Sequence, residues 1–121
     1  MTSARPLARR DVILISFPFT DLSGQKVRPA LIVGRPSGDD VIVAFIGSRV
    51  GSAALQPIHQ AEHLLEPADP EFASTGLKAP SVIRANKLAT LHRRIVRRRL
   101  GHIGPRTESG VASCLRHVFG L

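Results

Sequence analysis

The chain has 121 residues, enough for one domain and too few for two, and a 43% hydrophobic content that can fill a core, which excludes a disordered tail. No apolar run approaches the roughly 20 residues needed to cross a bilayer, and the basic start, MTSARPLARRD, lacks the apolar stretch of a secretory signal, so a cytoplasmic protein is expected. The single cysteine, Cys114, excludes an internal disulfide and a cysteine-based zinc site.

Net charge is +8. Residues 84 to 106 carry eight of the 17 basic residues (Arg84, Lys87, Arg93, Arg94, Arg97, Arg98, Arg99 and Arg106) and no acid, leaving nine basic residues against nine acids elsewhere. The whole excess therefore sits in one segment. Such a concentration favours a polyanion, either nucleic acid or an acidic protein segment. The competing reading is a solvated arginine-rich face, and charge by itself does not choose between them.

In chain order, residues 12 to 17 (VILISF) are a short continuous apolar run, read as a strand buried on both faces. Residues 20 to 26 (TDLSGQK) carry turn chemistry. Ala30 to Val33 resumes a strand, Pro36 to Asp40 turns again, and Val41 to Ile46 is a third strand. Three strands on short turns make an antiparallel meander, and the lack of a helix between them argues against a βαβ nucleotide-binding unit. Residues 51 to 81, interrupted by Pro67, Pro70 and Pro80, read as a long excursion with a helical turn near 70 to 75. Residues 81 to 91 return to the sheet, and 95 to 103 form an arginine-laden strand bounded by Gly101 and Gly104. Beyond Pro105, Val111, Ala112, Leu115, Val118 and Phe119 fall at helical spacing. With no tryptophan or tyrosine, the core must be mainly aliphatic.

Several familiar chemistries are missing. There is no glycine-rich phosphate loop before a helix and no GxSxG. His59 and His63 are four apart but have no third ligand nearby, so exposed loop histidines are the preferred reading over a metal site. Asp39 and Asp40 sit in a turn, where aspartate bonds local backbone. Cys114 lies in an apolar pattern and reads as a buried structural residue. What remains is arginine and hydroxyl on or beside strands. That set suits phosphodiester chemistry, because a guanidinium forks two hydrogen bonds to a phosphate and stabilises charge developing on its oxygens. RNA carries its own nucleophile, the 2′-hydroxyl, so no metal or other cofactor is required.

Three stretches resemble one family, the MazF/PemK-type toxins. Residues 11 to 21 (DVILISFPFTD) are similar to that family's opening strand and loop, with Arg10 where a glycine is usual. Residues 26 to 33 (KVRPALIV) resemble its most distinctive motif, and 41 to 48 (VIVAFIGS) resemble its third strand. Pro80 to Arg84 and Lys87 to Leu91 match a later strand in the same order. The resemblance implies a mainly β, SH3-like small barrel of the CcdB/PemK type with short helices and a C-terminal α-helix, spanning 1–121 as one domain with residues 1–9 as a flexible arm. It also implies a homodimeric toxin of a type II toxin–antitoxin system, cutting single-stranded RNA to 2′,3′-cyclic phosphate and 5′-hydroxyl ends. Its partners would be that RNA and an antitoxin with an acidic and apolar tail, with no membrane.

Within the resemblance, Arg28 matches the family's catalytic arginine; a strand-edge salt bridge is its plainer alternative. The second catalytic residue, a threonine ending the third strand, aligns with Gly47. Ser48 follows, but strand side chains alternate faces, so it should point away from the threonine's position. A bulge at Gly47 would turn it inward. Without one the phosphate loses a hydrogen bond worth about 1.5–3 kcal/mol, weakening cleavage. Around this catalytic set the expected RNA contacts are Phe19, Thr20, Lys26, Arg49, Asn86, Lys87, Arg93 and Arg94. Two alternatives stand beside the ribonuclease: a non-catalytic relative that keeps the RNA or antitoxin surface, and a CcdB-like gyrase inhibitor. Arg28 in its Arg-Pro-Ala-Leu setting argues against the latter, and Gly47 argues for the former.

Overall fold

The structure, a computed structural model, describes residues 6–17 and 26–121. The turn expected over 20 to 26 lies outside the described residues except for Lys26, and so do Phe19 and Thr20. Among the described residues six strands, β1 (Asp11–Phe17), β2 (Lys26–Gly34), β3 (Asp40–Ser48), β4 (Glu62–Leu65), β5 (Ser81–His92) and β6 (Val96–His102), precede one helix, α1 (Pro105–Phe119). All pairings are antiparallel, in the order β4-β5-β3-β2-β1-β6. The expected meander is the centre of this sheet. The excursion after residue 51 is more ordered than its prolines suggested: it contains 3₁₀ turns at Gly51–Leu55 and Ala73–Thr75 and the edge strand β4.

The sheet cannot be flat. Strands β5 and β6 lie four places apart, about 19 Å at ~4.8 Å per strand, yet only Arg93–Ile95 joins them. Three residues span at most about 11 Å. The sheet therefore curls until its ends approach, which makes a small barrel. Curling also explains the continuous apolar runs, because both faces are covered. Alternate residues of β1, β2 and β3 enter two separate cores. Ile13, Ile15, Ala30, Ile32, Val41 and Val43 fill the concave side, with Leu7, Phe45, Leu91, Ile95 and Val96 packed against them. Val12, Leu31, Ala44, Ile46, Leu65 and Ile83 face the other way, against Phe72, Ile103 and Val111.

Helix α1 covers the second core through Val111, Cys114 and Leu115. Its start is fixed by Pro105 at the first turn and its end by Gly120, at φ 70°. Gly104, at the N-cap, offers no side chain; the cap comes from Glu71, whose carboxylate accepts from the Arg106 N–H at 3.0 Å and the Thr107 N–H at 2.8 Å. Burial pushes the Glu71 carboxyl up, but these donors, the Thr107 hydroxyl and the Arg106 charge together hold it below its usual value. His63 is not an exposed loop residue as expected. It lies half-buried on β4, its ring against Gly110 of α1, where a Cβ would meet it at 2.3 Å. Burial lowers its pKa, opposed by Asp69 and Glu71. Cys114 is buried, as its apolar setting suggested, and burial raises its thiol pKa.

Of the arm expected over 1–9, residues 1–5 lie outside the described residues. The Pro6 carbonyl accepts from Arg99 at 3.2 Å, the Leu7 carbonyl from Arg35 at 2.6 Å, and the Ala8 N–H donates to buried Asp11 at 2.9 Å.

Candidate functional site

Proline opens the sheet at one seam. Strand β2 stays paired to β1 as far as Lys26, while β3 stays paired to β5 as far as Ser48. Between them, the β2–β3 ladder ends at Ala30–Phe45. The next β2 residue is Pro29, which has no N–H to donate. Beyond it Lys26, Val27 and Arg28 are exposed. The two strands thus form two lips, one carrying Arg28 and the other Gly47. Continued for two residues, the Ala30–Phe45 register would set Arg28 opposite Gly47 and on the same face as Ala30 and Ile32.

No bulge lies at Gly47. The β3–β5 register runs Phe45–Arg84, Ile46–Ile83, Gly47–Val82, Ser48–Ser81 without a shift, and its irregularity falls instead between Ala44 and Phe45, where β5 takes up extra residues. Alternation therefore puts Ser48 on the side of Ala44 and Ile46, away from the face of Arg28. The bulge that would have turned Ser48 inward is replaced by one displaced onto β5.

That displaced bulge positions a residue to which the sequence assigned no role beyond its charge. Arg84, paired with Phe45, lays its guanidinium over Gly47. A methyl group built on Gly47 would lie 2.8 Å from its Nη2, 2.9 Å from its Cζ and 3.1 Å from its Nε. On the far side, Nε is 3.6 Å from the Glu62 carboxylate, whose side chain is only 13% exposed. Arg84 Nε is also a buried nitrogen with no hydrogen-bond acceptor among the described residues. The Arg84 side chain as a whole is 40% exposed, so its terminal nitrogens reach solvent. The available signal was the glycine itself: a strand position emptied of its side chain beside a basic strand leaves room for a long neighbour.

Arg84 and Glu62 belong to a groove of about 320 Å³ that also takes in Ser48, Arg49, His59, Asn86 and Lys87. The structure so brings together three of the expected RNA contacts. Asn86 and Lys87 are exposed there. Arg49 is partly committed elsewhere, since its guanidinium donates to the carbonyls of Ala53 and Gln56 and pins the 3₁₀ turn at the groove's rim. Lys26 is exposed at the start of β2. Arg93 and Arg94 are not brought to this groove. They follow the other end of β5, roughly 20 Å away at ~3.3 Å per residue, and line a second groove with His92, Asp39, Arg98 and Arg99. Arg93 pairs with Asp39 at 3.3 Å.

Chemically, the opened seam offers an exposed arginine on β2 and, across it, the Arg84 guanidinium lying over the backbone at Gly47. Guanidiniums suit a phosphate, whose oxygens accept forked hydrogen bonds. Among the described residues no three histidine, cysteine, aspartate or glutamate side chains cluster as metal ligands, and no helix is long and apolar enough to cross a membrane.

A family model described as a PemK-like, MazF-like toxin of a type II toxin–antitoxin system matches residues 8–119. None of the curated proteins compared matches in sequence. Several solved structures share the fold. One is an endoribonuclease in complex with its cognate antitoxin from a mycobacterial species, at TM-score 0.70 and 19% identity, covering 97% of each chain. A MazF toxin of Mycobacterium tuberculosis aligns at TM-score 0.68 and 23% identity, covering 93% of this chain and 98% of that one. A MazE–MazF complex from Deinococcus radiodurans aligns at TM-score 0.67 and 16% identity, covering 98% and 99%.

Proposed function

The chain belongs to the PemK-like, MazF-like toxins of type II toxin–antitoxin systems, and from that premise we propose that it is an endoribonuclease acting on single-stranded RNA in the seam between β2 and β3. The observation that carries this reading is the parting of those strands at Pro29, which exposes Arg28 on one lip and leaves the other at Gly47, beneath the Arg84 guanidinium. The substrate supplies the nucleophile. Its 2′-oxygen bonds to the adjacent phosphorus, the bond from phosphorus to the 5′-oxygen breaks, and the proton lost from the 2′-hydroxyl balances the one gained by the leaving 5′-oxygen. Arg28 clamps the phosphate oxygens as negative charge builds on them and hydrogen-bonds the leaving oxygen. The groove with Asn86 and Lys87 carries the strand past the scissile bond, its cations neutralising neighbouring phosphates.

The other partners follow from the same membership. An antitoxin tail of apolar and acidic residues suits the groove between α1 and β2, floored by Leu31, Val33 and Val111 and rimmed by Arg9, Arg10 and Arg116, the first two also paired with Glu108 in the same groove. Incubating the purified protein with a long RNA in EDTA and mapping the new ends tests the activity. Cleavage leaving 5′-hydroxyl and 2′,3′-cyclic phosphate ends supports it; intact RNA or 5′-phosphate ends would sink it. Gly47 favours one second reading, a relative that binds RNA without cutting it. RNA retained on the protein but intact throughout that assay would select this reading.

A further inference from the structure

We propose that Arg84 takes the place of the hydroxyl side chain missing at Gly47, and that the glycine is there to admit it. The inference rests on the ribonuclease reading and adds a second phosphate-contacting cation to it. Three observations point the same way. The guanidinium occupies the volume that any side chain at position 47 would need, with Nη2, Cζ and Nε all within 3.1 Å of where its Cβ would lie. Its Nε, buried and without a hydrogen-bond acceptor among the described residues, faces the Glu62 carboxylate at 3.6 Å, so the ion pair orients the group from behind. Its remaining nitrogens stay open to the groove that holds Asn86 and Lys87.

The substitution changes the chemistry in a defined way. A hydroxyl gives the phosphate one hydrogen bond from a neutral donor, whereas a guanidinium gives two from a charged one and a full positive charge. With Arg28 on the opposite lip, the non-bridging oxygens are held from both sides as the 2′-oxygen bonds to phosphorus and the 5′-oxygen leaves. Arg84 donates hydrogen bonds only, so the proton balance of the reaction is unchanged. Glu62 is a positioning residue here: it touches the guanidinium and not the RNA. His59, whose backbone N–H donates to the other Glu62 oxygen at 3.1 Å, fixes that carboxylate in turn.

The geometry predicts a reversal of sign that packing by itself would not give. In the natural background, Gly47→Thr drives Cβ into the guanidinium and lowers cleavage. In an Arg84→Gln background the same threonine fills a vacated space with a hydroxyl and raises it. The experiment measures kcat on an RNA oligonucleotide, and binding of the same oligonucleotide made uncleavable by a 2′-deoxy sugar, for the natural protein, both single variants and the double variant. Circular dichroism checks that each is folded. Arg84→Gln is expected to lower kcat by about 10²–10³-fold, the usual loss on removing one transition-state donor. It should also reduce the slope of log K against log salt by about 0.7, the value for one phosphate contact on a single strand. An equal effect of Gly47→Thr in both backgrounds, or an unchanged salt slope in Arg84→Gln, would overturn the inference. Failure of the natural protein to cut RNA while binding it would overturn the ribonuclease reading instead, and the salt slope would still decide whether Arg84 touches phosphate.

Discussion

Removing the Arg28 guanidinium takes away the lip charge whose register falls opposite Gly47; Lys26, two residues along the same face of β2, lies further from that position. Arg28→Ala is therefore expected to lower RNA cleavage by about 10²–10³-fold. The side chain is exposed and outside both cores, so the circular dichroism spectrum and melting temperature should stay unchanged. Ser48→Ala should cleave within about twofold of the natural protein, because Ser48 shares the side of Ile46 and not that of Arg28. A hundredfold loss in Ser48→Ala would mean the strand is bulged at Gly47 after all. Arg28 could be singled out from its motif, and the empty position at Gly47 from the alternation of β3. Arg84 could not, because what brings it over Gly47 is a bulge in β5, opposite Ala44 and Phe45 and not at Gly47 itself. Register slips of that kind depend on cross-strand packing and leave no local mark in the chain.

Helix α1 is tied to the rest of the fold by two titrating contacts, His63 on β4 and Glu71 in the turn that follows it, and both weaken in acid. The pKa of His63 is lowered by burial, so the folded state holds it neutral, and its contribution is present above the ordinary histidine value of ~6.5 and lost as pH falls through the lowered one. The pKa of Glu71 is also lowered, so the cap on Arg106 and Thr107 persists to lower pH and goes as pH falls through the acid range. Thermal melts from pH 8 to pH 3 should show stability declining in two stages, with His63→Gln flattening the upper one and Glu71→Gln the lower. A melting profile identical in all three proteins would show that neither contact matters to the helix. The helix and the long strands were legible because their periodicity runs over many residues. Strand β4 was not: Glu62-His63-Leu64-Leu65 is four residues, two of them charged or polar, and it exists because β5 offers it an edge.

Across the whole molecule, the basic segment divides between two ends of the barrel. Lys87 lies in the groove beside Gly47, whereas Arg93 and Arg94 line a separate one beside Asp39. Charge counting along the sequence saw a single segment, and only the fold separates it, because one β-strand carries its ends far apart. Neutralising Lys87 should thus lower the salt slope of binding to a short RNA by about 0.7, while Arg93→Glu with Arg94→Glu should alter binding only of RNA long enough to reach the second groove. Equal effects of both changes on a short oligonucleotide would contradict this division. Val50, Leu55 and Ile58, close together in the chain, are exposed apolar residues, Leu55 at 84%, and a twofold copy of the chain would cover them. Sedimentation at tens of micromolar should accordingly give about twice the 13.1 kDa chain mass, and a monomer there would count against the homodimer. The central claim, that the RNA's own 2′-hydroxyl is the nucleophile and the protein supplies only position and positive charge, is tested most directly by one substitution in the substrate. An oligonucleotide with a single mapped cleavage site is remade with a 2′-deoxy sugar on the 5′ side of the scissile bond. The account predicts that cutting at that bond disappears while binding is retained within a few-fold; continued cutting there would contradict it.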